Sequence, residues 1–318
     1  MDDTHFPIHP QILRIDTKVP FSIYEKVGDE GYEDFYNAGD EYTASVHGKL
    51  YNKSISKLHV NNNEKLTYIR YLEDNFDIIF NDPFLDVQNK VKISHELLTS
   101  SAFFLLKNPD FDKIIRYKKV VRILANFVFS NDDAINHLLS LTTRSAQKYN
   151  HIVNVGIYGM GLAKEIFTDP SSHNIAEVAA GFFLHDIGFY AVPKHIQEKK
   201  SSLSDSDWQF IKKHPEEGCK ILEKYYCLTE ETEKIILQHH ERHNGSGYPK
   251  GLKGDQIHTY SKICSIADFF DSLTSNRPFR SAQKAFDALK IMRHEMKNEF
   301  DPKFFARFVL LFSKQLKK

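Results

Sequence analysis

The sequence predicts a mainly α protein: an all-helical C-terminal part preceded by a small β-rich or α+β N-terminal domain. Three observations predict it. Strand-type segments are confined to the region before Asn62, apolar residues recur at helical spacing from Glu64 onward, and histidines and aspartates sit at the ends of several later apolar runs.

Taken in order, PFSIYEKV, DEYTASV and SKLHVN have the β-branched and aromatic content of strands. Turn material separates them: Gly28, Gly31, the Gly39-Asp40 pair and the run Asn61-Asn62-Asn63. Leu66, Ile69, Leu72 and Phe76 then fall on one helical face, and that helix is expected to end near Asn81-Asp82-Pro83. Further helices are expected from Val87 to Leu106 and from Phe111 to Phe129. Ser130-Asn131-Asp132 supplies cap residues for the next one. The expected organisation is residues 1–82 as a sensory or docking domain, 83–129 as a helical connector and 130–318 as the main helical domain. The first of these carries no phosphate loop, phospho-acceptor pattern or metal cluster, so sensing, docking or dimerisation is assigned to it by elimination.

The chain has 318 residues with 42 basic and 42 acidic side chains, a formal net charge of +0 and a mean hydropathy of -0.44. That balance removes the simplest argument for a nucleic-acid polymer or an anionic membrane as partner. The apolar run Phe308 to Phe312 is too short to cross a bilayer. The opening MDDTHFPIHP is acidic and has no apolar core, so no signal peptide is expected. Cys219, Cys227 and Cys264 are scattered and form no CxxC motif, which fits a reducing compartment. A cytoplasmic location is expected.

Nine of the sixteen histidines lie between His151 and His258, only mildly more than even spreading gives, so their neighbours matter more than their number. His185-Asp186 ends the apolar run AAGFFL, His214 sits in IKKHPEEG, His239-His240 ends TEKIILQ, and Asp268 and Asp271 lie in SIADFFDSLTS. Imidazoles and carboxylates without a thiolate suit Fe, Mn, Ni or Zn. Asp268 and Asp271 are three apart and share a helix face. His239 and His240 point about 100° apart, so both border one cavity only if it is wide. A two-metal centre is such a cavity. His185-Asp186 has the same solution, with the imidazole on one ion and the carboxylate bridging both. Taken singly, His151 or His214 reads as an ordinary surface or capped histidine, and Asp268 and Asp271 as polar residues at a helix end. Joint occurrence in the order H…HD…H…HH…D weakens those readings. His258 stays unassigned.

The ordered segments HDIG, KHPEEG, HHERHNGSGYPKGL and IADFFDSLTSNRPFR resemble the HD-GYP family of HD-domain phosphohydrolases over about His151 to Asp301, including the name-giving pairs His185-Asp186 and Gly247-Tyr248-Pro249. The resemblance implies hydrolysis of cyclic di-GMP to pGpG or GMP. It also implies two divalent ions, with iron placed first and Mn, Ni or Zn as alternatives. One ion would be held by His151, His185, Asp186 and Asp268, and the other by His214, His239 and His240, with Asp186 bridging. His185 and Asp186 are the expected catalytic pair. Asp271 joins Tyr248, Arg277 and Arg280 on the expected substrate side. Both arginines suit bidentate phosphate contacts, with a helix-end ion pair as the alternative; Tyr248 either stacks on guanine or simply packs. GGDEF-domain proteins and a second copy of the chain are the candidate partners.

The sequence departs from that family's pattern. HDIGK reads HDIGF, so Phe189 replaces a lysine and removes a cation near the metals. Asn244 stands for an aspartate in the HHERxDGxGYP segment, and Phe279 for a tyrosine in RPYR. Gln147 stands where members with a third metal carry a glutamate, so two metals are expected. The expected activity is a slowed phosphodiesterase; the alternative is a receptor that binds the nucleotide and barely turns it over.

Overall fold

The computed structural model describes residues 4–28, 31–52, 58–199, 201–276 and 280–313. The chain divides into two compact units, 1–90 and 91–318.

The first unit runs β1 (His5–Ile8), β2 (Thr17–Lys18), β3 (Ile23–Val27), β4 (Gly31–Tyr36), β5 (Glu41–Tyr42), α1 (Ala44–Asn52), β6 (Leu58–Asn61) and α2 (Lys65–Phe80). Four strands form an antiparallel sheet in the order β1-β6-β3-β4, and β2 and β5 make a two-stranded ribbon. Helix α2 buries Ile69, Leu72 and Phe76 on the face their spacing predicts, while Leu66, expected on the same face, is exposed. It closes where Asn81 N donates to the Asp77 carbonyl. The segment DEYTASV departs from expectation: only Glu41 and Tyr42 pair as strand, and a helix starts at Ala44. Thr43 is the cause. Its Oγ1 accepts from Val46 N at 3.4 Å and its carbonyl from His47 N at 3.0 Å, so a residue of strand-type composition starts a helix.

The helices that follow are α3 (Val87–Lys107), α4 (Phe111–Ser130), α5 (Asp132–Leu141), α6 (Lys148–Ile166), α7 (Ile175–Leu184), α8 (Lys194–Gln197), α9 (Asp205–Ile211), α10 (His214–Lys224), α11 (Glu230–Gln238), α12 (Thr259–Thr274), α13 (Ala285–His294) and α14 (Pro302–Ser313). The division between the units falls in the first turn of α3. Of segment 83–129, residues 83–90 belong to the first unit and 91–129 to the second. Asp110 caps α4 by accepting from Lys113 N at 2.9 Å. The same helix lies against α7, where Lys118 Nζ donates to Glu177 at 2.7 Å and Tyr117 meets Phe183 edge-on. Asn131 caps α5, as expected, by accepting from Asp133 N and Ala134 N.

Helix α7 organises the second unit. Residues Val178 to Leu184 are all buried, as expected of a helix that is apolar on every face. It packs against α4, α6 and α11. The approach of α6 depends on Gly156: a β-carbon there would lie 2.5 Å from the Phe183 ring. Among the described residues no helix is long and apolar enough to cross a membrane.

Candidate metal centre

The ends of α7, α9 and α11 supply three histidines in one orientation. The last carbonyls of a helix have no partner within it. His185 Nδ1 donates to the Phe182 carbonyl at 2.9 Å, His214 Nδ1 to Ile211 at 2.7 Å and His239 Nδ1 to Ile236 at 2.8 Å. A carbonyl only accepts, so each Nδ1 carries the hydrogen and each Nε2 is left to face inward. A fourth ring, His151 on α6, is fixed by a carboxylate instead, with Nδ1 2.7 Å from Asp271 Oδ2.

These rings converge in two groups. One ligand atom from each of Asp186, His214, His239 and His240 lies within 4.8 Å of the others, and the same holds for His151, His185 and Asp268. Asp186 belongs to the first group and reaches the second. Its Oδ1 lies 3.2 Å from His214 Nε2, 3.7 Å from His239 Nε2 and 3.8 Å from His185 Nε2, while Oδ2 lies 3.6 Å from His151 Nε2. Asp268 spans them too, with Oδ1 3.3 Å from His151 Nε2 and Oδ2 3.6 Å from His240 Nδ1.

Two details of the cluster fit divalent cations. His185 Nε2 is buried without a hydrogen-bond partner, and such an atom is costly unless something binds it. His214 and His239 point their Nε2 atoms at each other across 3.1 Å, an arrangement that needs a proton or a cation beside it. The ionisation states agree. Burial pushes His185 down to about 4 despite nearby Asp186, and pushes His240 well below its ordinary range. Burial alone would raise Asp186 and Asp268, but the imidazoles around them hold both well below the carboxylate range. Nitrogen and carboxylate donors without thiolate suit Fe, Mn, Ni or Zn. The nearby Cys264 thiol is pushed up by burial and by both aspartates, so it stays protonated.

His151 differs. Burial lowers its pKa, but hydrogen bonds to Asp268 and Asp271 outweigh this and raise it from 6.5 to about 10. The metal-free site therefore holds a proton on His151 at neutral pH, and a metal must displace it. Affinity for a divalent ion is expected to rise about tenfold per pH unit between pH 6 and 8; titration of the metal-free protein with Mn²⁺ at several pH values checks this, and a flat profile would remove His151 from the ligands. The raised pKa also stabilises the metal-free fold fully below 6.5, a contribution lost as pH climbs through about 10.

The structure places Asp271 behind the cluster, not on the substrate side where the sequence reading put it. It is 0% exposed, accepts from Asn154 Nδ2 at 2.7 Å and Ser275 Oγ at 3.0 Å, and orients His151. Asp271→Asn is expected to weaken metal binding about 10–100-fold without abolishing it, read by calorimetric titration of the metal-free variant. Arg280 is likewise corrected: Nη1 donates to the Leu273 carbonyl at 2.9 Å and Nη2 to that of Ser272, so it caps the end of α12, closer to its helix-end alternative than to a phosphate clamp. Tyr248 packs its ring on His240, with centroids 4.6 Å apart. Arg277 and Phe279 lie outside the described residues. His258 caps α12 by accepting from Tyr260 N. Asn244 accepts from Ser246 N and Oγ, so it keeps the turn of the GYP loop without the aspartate's charge.

Sequence reasoning passed over two supports. Glu241, 1% exposed, accepts from Lys250 N at 2.7 Å and Leu252 N at 2.9 Å and ties down the GYP loop; its place in HHER was the available signal. Asn154 bridges Asp271 and the Thr143 carbonyl, and only its three-residue spacing from His151 hinted at this.

Comparison with known proteins gives a consistent picture. A family profile described as HD domain matches residues 135–304. A cyclic di-GMP phosphodiesterase of Pseudomonas aeruginosa is 32% identical over 57% of this chain and 43% of its own length. A 3'3'-cGAMP-specific phosphodiesterase of Vibrio cholerae is 31% identical over 51% of this chain and 35% of its own. A cyclic di-GMP phosphodiesterase of Thermotoga maritima is 28% identical over 70% of this chain and 61% of its own. The chain thus spans less than two thirds of the length of each. In fold, it is similar to an HDG"Y"P protein from Bdellovibrio bacteriovorus, with a TM-score of 0.65 and 23% identity over 97% of this chain and 99% of that one.

Proposed function

This chain belongs to the HD-domain family, and from that premise we propose that it is a phosphodiesterase of the HD-GYP type, hydrolysing cyclic di-GMP to pGpG or GMP with two divalent ions, iron first among them. The single observation that carries the reading is the meeting of two donor groups at Asp186, whose carboxylate lies near His214 and His239 of one and His185 and His151 of the other. The names of the relatives support the substrate class.

Two bound divalent ions would supply charge neutralisation of the phosphodiester and acidification of a water. His151, His185, Asp186 and Asp268 would hold one, and His214, His239 and His240 the other. The chain's own part is positional. Carbonyls at three helix ends fix three rings, Asp271 fixes the fourth, and burial keeps His185 neutral. A cluster fixed in this way needs little reorganisation during the reaction, which is where electrostatic catalysis gains most. We assign the first unit a sensing or docking role, with GGDEF-domain proteins or a second copy of this chain as partners.

Incubation of the metal-loaded protein with cyclic di-GMP, followed by chromatography, tests the reading: pGpG or GMP should form, and His185→Ala should stop it. Turnover of another cyclic dinucleotide alone would replace the substrate. A receptor is the second reading, favoured by Phe189 in place of the HDIGK lysine. Tight binding without product would establish it.

A further inference from the structure

Adjacent residues on a helix point about 100° apart, so neighbouring histidines do not readily serve one site. Here α11 stops at Gln238, and the rings of His239 and His240 just beyond it lie 4.1 Å apart between centroids. Past the end of the helix, the carbonyls of this segment need partners from elsewhere. All three have one. Tyr248 N donates to the His240 carbonyl at 3.3 Å. Arg242 Nη1 serves the carbonyls on either side, those of His239 and Glu241, at 3.2 Å each, and donates to Ser265 Oγ at 2.6 Å. Ser265 lies on α12, three residues before Asp268, and its hydroxyl also reaches the Glu241 carbonyl at 3.4 Å. Arg242 is held in turn from the segment ahead of α14. Its Nε lies 3.5 Å from Glu299 Oε2, and its guanidinium carbon stands 5.7 Å from the Phe269 ring centroid and 5.6 Å from that of Phe300. The next residue repeats the tie, with His243 N donating to the Glu299 carbonyl at 2.8 Å.

We propose that Arg242 is a positioning residue of the metal centre: it pins the main chain on both sides of His240 to α12, one turn ahead of Asp268, and so sets how closely His240 and Asp268 approach. The proposal rests on the metal-centre reading and adds to it a residue that acts through the donors. His240 belongs to one donor group and Asp268 to the other, and His240 Nδ1 lies 3.6 Å from Asp268 Oδ2. The link that Arg242 makes therefore bears on the spacing between the groups. Charge does not explain an arginine at this place, because a cation two residues from His240 repels a divalent ion. Its several N–H groups do. The guanidinium presents them in one rigid plane, so Nη1 serves the junction of α11 with α12 while Nε faces Glu299. A lysine ammonium on a flexible stem does not hold both sides at once.

Calorimetric titration of the metal-free protein with Mn²⁺ at pH 8 tests this in Arg242→Lys, Ser265→Ala and the double variant. Arg242→Lys is expected to weaken Mn²⁺ binding about 10–100-fold, and Ser265→Ala by a smaller factor of about 3–10. Both break one link, so the double variant should lose clearly less than the product of the two. In turnover of cyclic di-GMP at saturating Mn²⁺, Arg242→Lys should lower kcat while KM stays within about threefold. A lowered Tm with wild-type Mn²⁺ affinity would reduce Arg242 to a packing role and overturn the proposal. A double variant that loses the full product would also overturn it, since Arg242 would then not act through Ser265. If Arg242→Lys does not fold, Ser265→Ala decides, and unchanged affinity there overturns the proposal. Any of these results leaves the metal-centre reading standing as long as the wild type binds Mn²⁺. If the wild type binds Mn²⁺ without turning over cyclic di-GMP, the titrations decide alone. If it binds no Mn²⁺, the metal centre and the role of Arg242 fall together.

Discussion

Asp186→Asn is expected to leave the helical unit folded while its metal content drops from two ions per chain to one or none and its turnover falls at least about 10³-fold, the equivalent of ~4 kcal/mol in transition-state stabilisation. The reason is placement. Asp186 reaches both donor groups: Oδ1 lies near His214 and His239 of one and His185 of the other, and Oδ2 lies near His151. The amide keeps the shape but loses the charge, and one of its two arms becomes a donor that repels a cation. Asp268, which also spans the groups, cannot replace it, because its oxygens reach His151 and His240 and not the His214–His239 pair. The surrounding packing is untouched, so far-ultraviolet circular dichroism should match the wild type. Retention of two ions by the variant would show that Asp186 does not join the sites.

Gly188→Ala carries the second large effect, and it acts through the backbone. Gly188 lies in the turn Ile187–Ala191 that follows the HD pair. A β-carbon there would fall 2.5 Å from Gly218 N and still closer to the His214 carbonyl oxygen. Both are backbone atoms of α10 and cannot rotate away. The turn and α10 must therefore separate, which moves Asp186 and His214 apart by the same motion. Overpacking of this kind costs about 3 kcal/mol, a fall in Tm of roughly 6–12 °C for a unit of this size. Metal affinity should fall as well, because the 3.2 Å approach of His214 to Asp186 depends on that contact. Differential scanning calorimetry with and without metal separates the two effects. A variant with unchanged Tm would mean that the turn and α10 yield more readily than their packing shows.

His185-Asp186, His239-His240 and Asp268 were readable because each sits at the end or on the face of an apolar or helical run, whereas His151 and His214 joined them through their order in the chain and the family resemblance; helix ends are where an imidazole finds a free carbonyl to orient it. His185, His214 and His239 follow that rule closely. Asp271 and Arg280 were misjudged for a related reason. Three-residue spacing does put Asp271 on the face of Asp268, but a helix face is wide enough for one carboxylate to enter the cluster and the next to stand behind His151. An arginine near a helix end serves carbonyls or phosphates with the same donors, and only the fold shows that the carbonyls of Ser272 and Leu273 lie in reach. Helix α1 was hidden because Thr43, Tyr42 and Val46 favour strands by composition, while one hydroxyl capping bond settles the local outcome.

The most direct test of the two-ion centre is the metal-to-chain ratio after anaerobic reconstitution of the metal-free protein with ferrous iron and removal of the excess. The geometry of the two donor groups predicts a ratio close to two. A ratio of one or less, with the protein folded and the pH near 8, would contradict it.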